Sequence, residues 1–170
     1  MAVILIILGV SGRLLPHAYN FTPLISIALF AGVYLNKKQA LIVLFSSLLI
    51  SDFFLGFYDW KLLTAVYGSY FLIGLISLVI KNNKNTEMIF AGSIVAAFVF
   101  FLVTNLAVWQ FSSWYAHNLA GLSECFILAL PFFRNTLLGS IFYAAVLFGS
   151  YELAIFLAEK KSLALKKNSL

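Results

Sequence analysis

Apolar residues run in long blocks along this chain, broken by short polar punctuation, and the block lengths predict helices that cross a membrane. Met1 to Leu15 is the first block and Thr22 to Asn36 the second, with Pro23 in its first turn, where a missing N–H costs nothing. Ala40 to Phe57, Leu62 to Ile80 and Met88 to Phe111 follow, and Thr136 to Ala158 is the last. A hydrocarbon core of about 30 Å needs roughly 20 apolar residues in a helix, so the first block is slightly short for a crossing. Residues 112–131 break the pattern: Trp114, Tyr115, His117 and Asn118 suit an interface, and Leu122 to Leu130 is apolar but too short to cross. This part is predicted to be an outer loop or a re-entrant segment. The expected architecture is a single all-α membrane domain over residues 1–170, a compact bundle of about six transmembrane helices.

Composition supports that reading. The chain is 63% hydrophobic and 10% charged, with a mean hydropathy of +1.02, against about 45–50% apolar and 25% charged in soluble domains. The net charge of +5 does not mark a nucleic-acid binder, because the lysines lie in short clusters beside apolar blocks and form no basic stripe. If every block crosses, Lys37, Lys38, Lys81, Lys84, Lys160, Lys161, Lys166 and Lys167 share one side, eight of the eleven basic residues. The positive-inside rule makes that side the cytoplasm. The chain is then expected in the cell inner (plasma) membrane, multi-pass, with both termini cytoplasmic. Met1 to Gly12 has no positive n-region, so it reads as a retained helix rather than a cleaved signal.

Candidate chemistry concentrates between the first two blocks. Arg13 to Pro23 (Arg-Leu-Leu-Pro-His-Ala-Tyr-Asn-Phe-Thr-Pro) sets a cation, an imidazole, an amide and two prolines between apolar runs. An arginine deep in a bilayer costs roughly 2.5–3.5 kcal/mol on insertion scales, so it belongs at an interface, in a cavity or beside a partner. Asp52 follows Ser51 on an apolar block, and its carboxylate either pairs with Arg13 or Arg134 or faces a ligand. Asn105 and Trp109 are four residues apart and share a helix face, where the indole either anchors in the interface or stacks on a flat ligand. Asn135 is placed to cap the last helix. The expected solute-binding set is Arg13, His17, Asn20, Asp52, Asn105, Trp109, His117, Arg134 and Asn135.

No cofactor and no metal are expected. Cys125 is the single cysteine, and the spacing of His17, His117 and Cys125 matches no zinc signature. Ser123, Glu124 and His117 lie close in sequence, but no nucleophile elbow or HExxH motif accompanies them, which argues against an enzyme.

The phrases at 13 to 23, Ala-Leu-Phe-Ala-Gly (28 to 32), Ser-Asp-Phe-Phe-Leu-Gly (51 to 56), Phe-Phe-Leu-Val-Thr-Asn (100 to 105) and Leu-Pro-Phe-Phe-Arg-Asn-Thr-Leu-Leu-Gly (130 to 139) resemble a family of uncharacterised bacterial membrane proteins. In layout the chain also resembles the S components of energy-coupling factor (ECF) vitamin transporters. That resemblance implies six helices, an outward-facing pocket closed by loops, a vitamin-like small solute, and an ATPase-bearing module as partner. The small stretch Ala28 to Gly32 and the Pro-Phe-Phe entry at 131 to 133 carry it. The docking motif of that group, small residues on the first helix, is met here only by Ala2 and Gly9, so Ala28 and Gly32 are the implied docking positions. Two other classes stand beside solute capture: a structural or assembly subunit whose polar residues pair among themselves, and an intramembrane enzyme.

Overall fold

The computed structural model describes the backbone of residues 1–168 and the side chains of residues 1–162. It is all-helical among these residues: α1 (Ala2–Leu14), α2 (Leu24–Tyr34), α3 (Lys37–Leu55), α4 (Trp60–Asn82), α5 (Thr86–Phe111) and α6 (Leu119–Asn168). Lys166 and Lys167, placed on the lysine-rich side by the sequence pattern, have side chains outside the described residues.

Short polar side chains set the helix starts. Asn36 accepts from the Gln39 N–H at 2.9 Å, Asn85 from the Met88 N–H at 2.7 Å, and Asp59 from the N–H groups of Lys61 and Leu62 at 2.9 and 3.3 Å. Each supplies an acceptor to amides that have no partner in the first turn, a contribution of about 1 kcal/mol per cap. At Gly56 the backbone leaves α3 with φ +94°, a conformation that side-chain-bearing residues avoid.

Four helices, α3, α4, α5 and the part of α6 from Leu119 to Ser162, are long and apolar enough to cross a membrane. Of the about six crossings expected, these four have the length, and α1 and α2 are shorter. At about 1.5 Å per residue, helices of 13 and 11 residues fall well short of a core about 30 Å thick. The outer surface carries Val3, Ile4, Phe53, Phe54, Trp60, Ile127 and Phe156, all exposed. Apolar residues facing outward on every side are what lipid-covered helices require.

Helix α2 is the central post. It touches every other helix, and all but Gly32 and Tyr34 of its residues are buried. A segment too short to span is thus enclosed by protein rather than lipid, and serine side chains cross-link it to its neighbours. Ser26 donates to the Ser140 carbonyl at 2.8 Å, and Ser140 in turn donates toward the Ser93 carbonyl at 3.3 Å, joining α2, α6 and α5. Such hydrogen bonds between apolar helices average about 0.6 kcal/mol. At the lysine-rich end, the rings of Phe30, Tyr34, Phe148 and Tyr151 pack at centroid distances of 4.4 to 5.7 Å, and the Tyr34 hydroxyl donates to Glu152.

Residues 112–131 are not a loop or a re-entrant segment throughout. Only residues 112–118 lie outside helix; from Leu119 the chain is helical and continues without a break through the expected last span. Pro131 sits inside α6. Its ring nitrogen cannot donate to the Ile127 carbonyl, but the loss is local, and helices in apolar surroundings tolerate proline where nearby polar groups re-satisfy the backbone. Asn135 therefore lies mid-helix and caps nothing.

Candidate functional site

Arg13 occupies the last turn of α1, where a cation meets the negative end of the helix dipole. Its guanidinium lies 2.6 Å from Oδ1 of Asp52 and donates to the Ser51 hydroxyl at 2.7 Å. The Ser51 hydroxyl passes its own proton to the Ser47 and Leu48 carbonyls at 2.6 and 3.0 Å. The other carboxylate oxygen, Oδ2, accepts from the Tyr67 hydroxyl at 2.9 Å. Three helices, α1, α3 and α4, are thereby tied at one buried carboxylate. Asp52 is 1% exposed and Arg13 17%, and theirs is the one ion pair among the described residues. Isolated burial of either charge would cost several kcal/mol, so the pair is required wherever one member is present.

Beside this pair the loop between α1 and α2 turns back over α6. Asn20 takes φ +63°, a left-handed conformation that asparagine tolerates better than most residues. Asn135 donates from Nδ2 to the Tyr19 carbonyl at 3.0 Å, and the Phe21 ring lies 5.9 and 5.5 Å from the rings of Phe142 and Tyr143. Gly139 admits the loop backbone: a Cβ there would lie 3.3 Å from Phe21 Cα. The loop is held on α6 by one hydrogen bond, the Phe21 cluster, an edge-on contact of Tyr19 with Phe132 at 6.2 Å, and one close approach.

Underneath it is a cavity of about 220 Å³ lined by Arg13, Asn20, Thr22, Ile25, Tyr58, Val66, Tyr70, Phe100 and Thr136. The lining mixes a guanidinium, an amide and four hydroxyl groups with an aromatic and aliphatic floor. Burial, and then the neighbouring Asp52 charge, raise the Tyr58 phenol pKa above its ordinary value while Arg13 opposes. Tyr58 thus remains a protonated donor at neutral pH.

The residues singled out from sequence fall into three places. Arg13 and Asn20 line the cavity, Asp52 stands behind Arg13, and Asn135 fastens the loop that roofs it. Asn105, Trp109 and His117 gather elsewhere, at the turn between α5 and α6. There Trp109 donates from Nε1 to the Ala116 carbonyl at 3.0 Å, its ring lies 5.8 Å from that of His117, and Asn105 donates to its own helix at Phe101. Buried Cys125 approaches the Asn105 carbonyl at 3.5 Å. These contacts close a helix turn. His17 and Arg134 are exposed and do not line the cavity, although His17 Nδ1 contacts the Leu15 carbonyl at 2.5 Å. Among the described residues no three His, Cys, Asp or Glu side chains gather as a metal shell.

A family model described as a family of unknown function, DUF6580, matches residues 1–165. The chain belongs to that family. No curated protein and no solved structure matches it.

Thr22, Tyr58, Tyr70 and Thr136 were not among the residues picked from the sequence, yet they supply the cavity's hydroxyl groups. Thr136 directly follows the candidate Asn135, and Thr22 lies within the Arg13 to Pro23 stretch, two residues after Asn20. Tyr70 had no local signal, since a tyrosine in an apolar helix looks the same whether it faces a cavity or lipid.

Proposed function

We propose that this DUF6580 chain is a membrane protein that captures one small polar solute in the cavity beside Arg13. The observation that carries the reading is the lining itself. In a protein whose surface is overwhelmingly apolar, Arg13, Asn20, Thr22, Tyr58, Tyr70 and Thr136 converge on one void of about 220 Å³. That is below the roughly 300–1,000 Å³ of drug-sized ligand pockets, so the solute is small. The Asp52 and Ser51 contacts occupy one terminal nitrogen of Arg13; the guanidinium has donors on its other nitrogens for a carboxylate or carbonyl on the solute. Tyr70 and Phe100, with ring centroids 5.2 Å apart, form an aromatic floor for a flat or apolar body.

The rest of the reading follows the layout. Lys37, Lys38, Lys81 and Lys84 at the opposite end set the cytoplasmic side by the positive-inside rule, which opens the cavity outward in an inner-membrane protein with both termini inside. Uptake of the S-component type would then need a separate ATPase-bearing module. A structural or assembly subunit is the second reading, and the closed Arg13, Asp52 and Tyr67 network favours it.

The deciding experiment is a thermal-shift and equilibrium-dialysis screen of the purified protein against small carboxylates, amides and aromatic acids. Capture predicts a saturable ligand whose affinity falls about two- to tenfold in Tyr70→Phe, which loses a hydroxyl, and in Thr136→Val, which loses an acceptor, the Thr136 proton being given to the Phe132 carbonyl at 2.9 Å. A screen with no saturable ligand, or one whose ligand ignores both variants, favours the structural subunit.

A further inference from the structure

At the other end of the bundle α3 and α4 meet over little of their length, and a cleft of about 350 Å³ opens between them with α2 as its floor. Ala28 and Gly32 form that floor, while Leu41, Leu44, Phe71, Leu75 and Leu78 form the walls. The Ser77 hydroxyl is already spent on the Gly74 carbonyl at 2.5 Å. Among the described residues Lys37 and Lys81 are the only charged ones in the lining, and no acidic side chain joins them. Lys81 reaches across toward the Leu35 carbonyl, 3.5 Å away, which sets its ammonium at the C-terminal end of α2. An apolar slot thus ends in two cations at one level of the bundle.

We propose that this cleft holds an acyl chain of an anionic phospholipid, with the lipid phosphate on Lys37 and Lys81. The charge pattern selects the occupant: the slot matches a hydrocarbon chain and the paired ammonium groups match a phosphate at the headgroup level. The site is separate from the Arg13 cavity and does not depend on solute capture. It also gives Ala28 and Gly32 a role as the floor of a lipid slot.

The test is native mass spectrometry of the full chain in detergent, titrated with equal amounts of phosphatidylglycerol and phosphatidylcholine. Two lysines near the membrane surface, each worth about 1 kcal/mol, predict a preference for the anionic lipid of about tenfold or more. Lys37→Gln with Lys81→Gln should abolish the preference, whereas Lys38→Gln with Lys84→Gln, removing the same charge outside the cleft, should keep it. Gly74 lines the slot and a Cβ added there meets nothing within 4 Å, so Gly74→Leu starts in open space, projects into the slot and should remove binding of both lipids. A melting temperature raised by phosphatidylglycerol in wild type and not in Gly74→Leu gives a second readout should either variant prove poorly behaved in the gas phase. Inorganic phosphate should give no shift, because it brings no acyl chain. Equal retention of both lipids, loss of preference in the Lys38 and Lys84 pair, undiminished binding in Gly74→Leu, or stabilisation by phosphate alone each overturns the proposal.

Discussion

The guanidinium of Arg13 sits 2.6 Å from the carboxylate of Asp52, joining the last turn of α1 to the last turn of α3. Because Asp52 is 1% exposed, its charge is tolerable only while that partner is present. Arg13→Met should lower unfolding free energy by about 3–5 kcal/mol, the usual cost of orphaning one member of a buried pair. Adding Asp52→Asn should restore most of the loss, since the asparagine carbonyl can still accept from Tyr67. Thermal or denaturant unfolding of the two single variants and the double variant in detergent measures the coupling. Additive losses would mean that the pair contributes nothing as a pair.

Ser47 makes an instructive contrast with Ser51 one turn later. Both hydroxyl groups are fully buried, but Ser51 bonds Arg13 and two carbonyls, whereas Oγ of Ser47 has no partner among the described residues. An unpaired buried hydroxyl costs about 1–3 kcal/mol in mutational data. Ser47→Ala should therefore leave stability unchanged or raise it by about 1 kcal/mol, while Ser51→Ala lowers it by at least that much. Denaturation midpoints of the two variants should move in opposite directions or, at the least, only the second should fall.

Glycines at helix contacts separate in the same way. A Cβ on Gly32 would run into the Ser77 side chain, whereas one on Gly68 meets nothing within 4 Å. Gly32→Ala should cost about 1–3 kcal/mol by overpacking α2 against α4. Gly68→Ala should be neutral or gain up to about 1 kcal/mol from helix propensity. Ser77→Gly in the Gly32→Ala background should recover part of the loss, which comparison of melting temperatures would register.

Helices α3, α4 and α5 were legible because length and apolarity decide them, and their asparagine and aspartate caps lay where polar punctuation interrupts the blocks. The Arg13 and Asp52 pair could be anticipated as one of two alternatives, since two isolated charges among apolar residues have few other partners. What the chain hid was context. An apolar run of 11 residues looks alike whether lipid or protein surrounds it, so the enclosure of α2 was invisible. Pro131 and the polar 112–118 stretch together imitated a break that exists only before Leu119. The cavity was half legible: Arg13 and Asn20 announced themselves by cost and by loop position, but Tyr70 and Thr136 reach it only through the packing of α4 and α6. Asn105 and Trp109 share a face as their spacing required, yet that face closes the α5–α6 turn.

Asn20 combines two roles that substitution can separate. Its left-handed backbone, φ +63°, is what the loop needs to turn back over α6, and its side chain contributes to the cavity lining. Glycine satisfies the first requirement and removes the second. Valine, β-branched, meets neither, and forcing it into that conformation should cost about 1–3 kcal/mol. Asn20→Gly should therefore retain nearly the wild-type melting temperature, while Asn20→Val lowers it. If the cavity captures a solute through the amide, Asn20→Gly should also weaken that ligand by about two- to tenfold, the worth of one hydrogen bond. Glycine that preserves both stability and ligand affinity would assign Asn20 to the turn alone. A fold that collapses in Asn20→Gly would instead show that the amide, rather than the backbone angle, holds the loop in place.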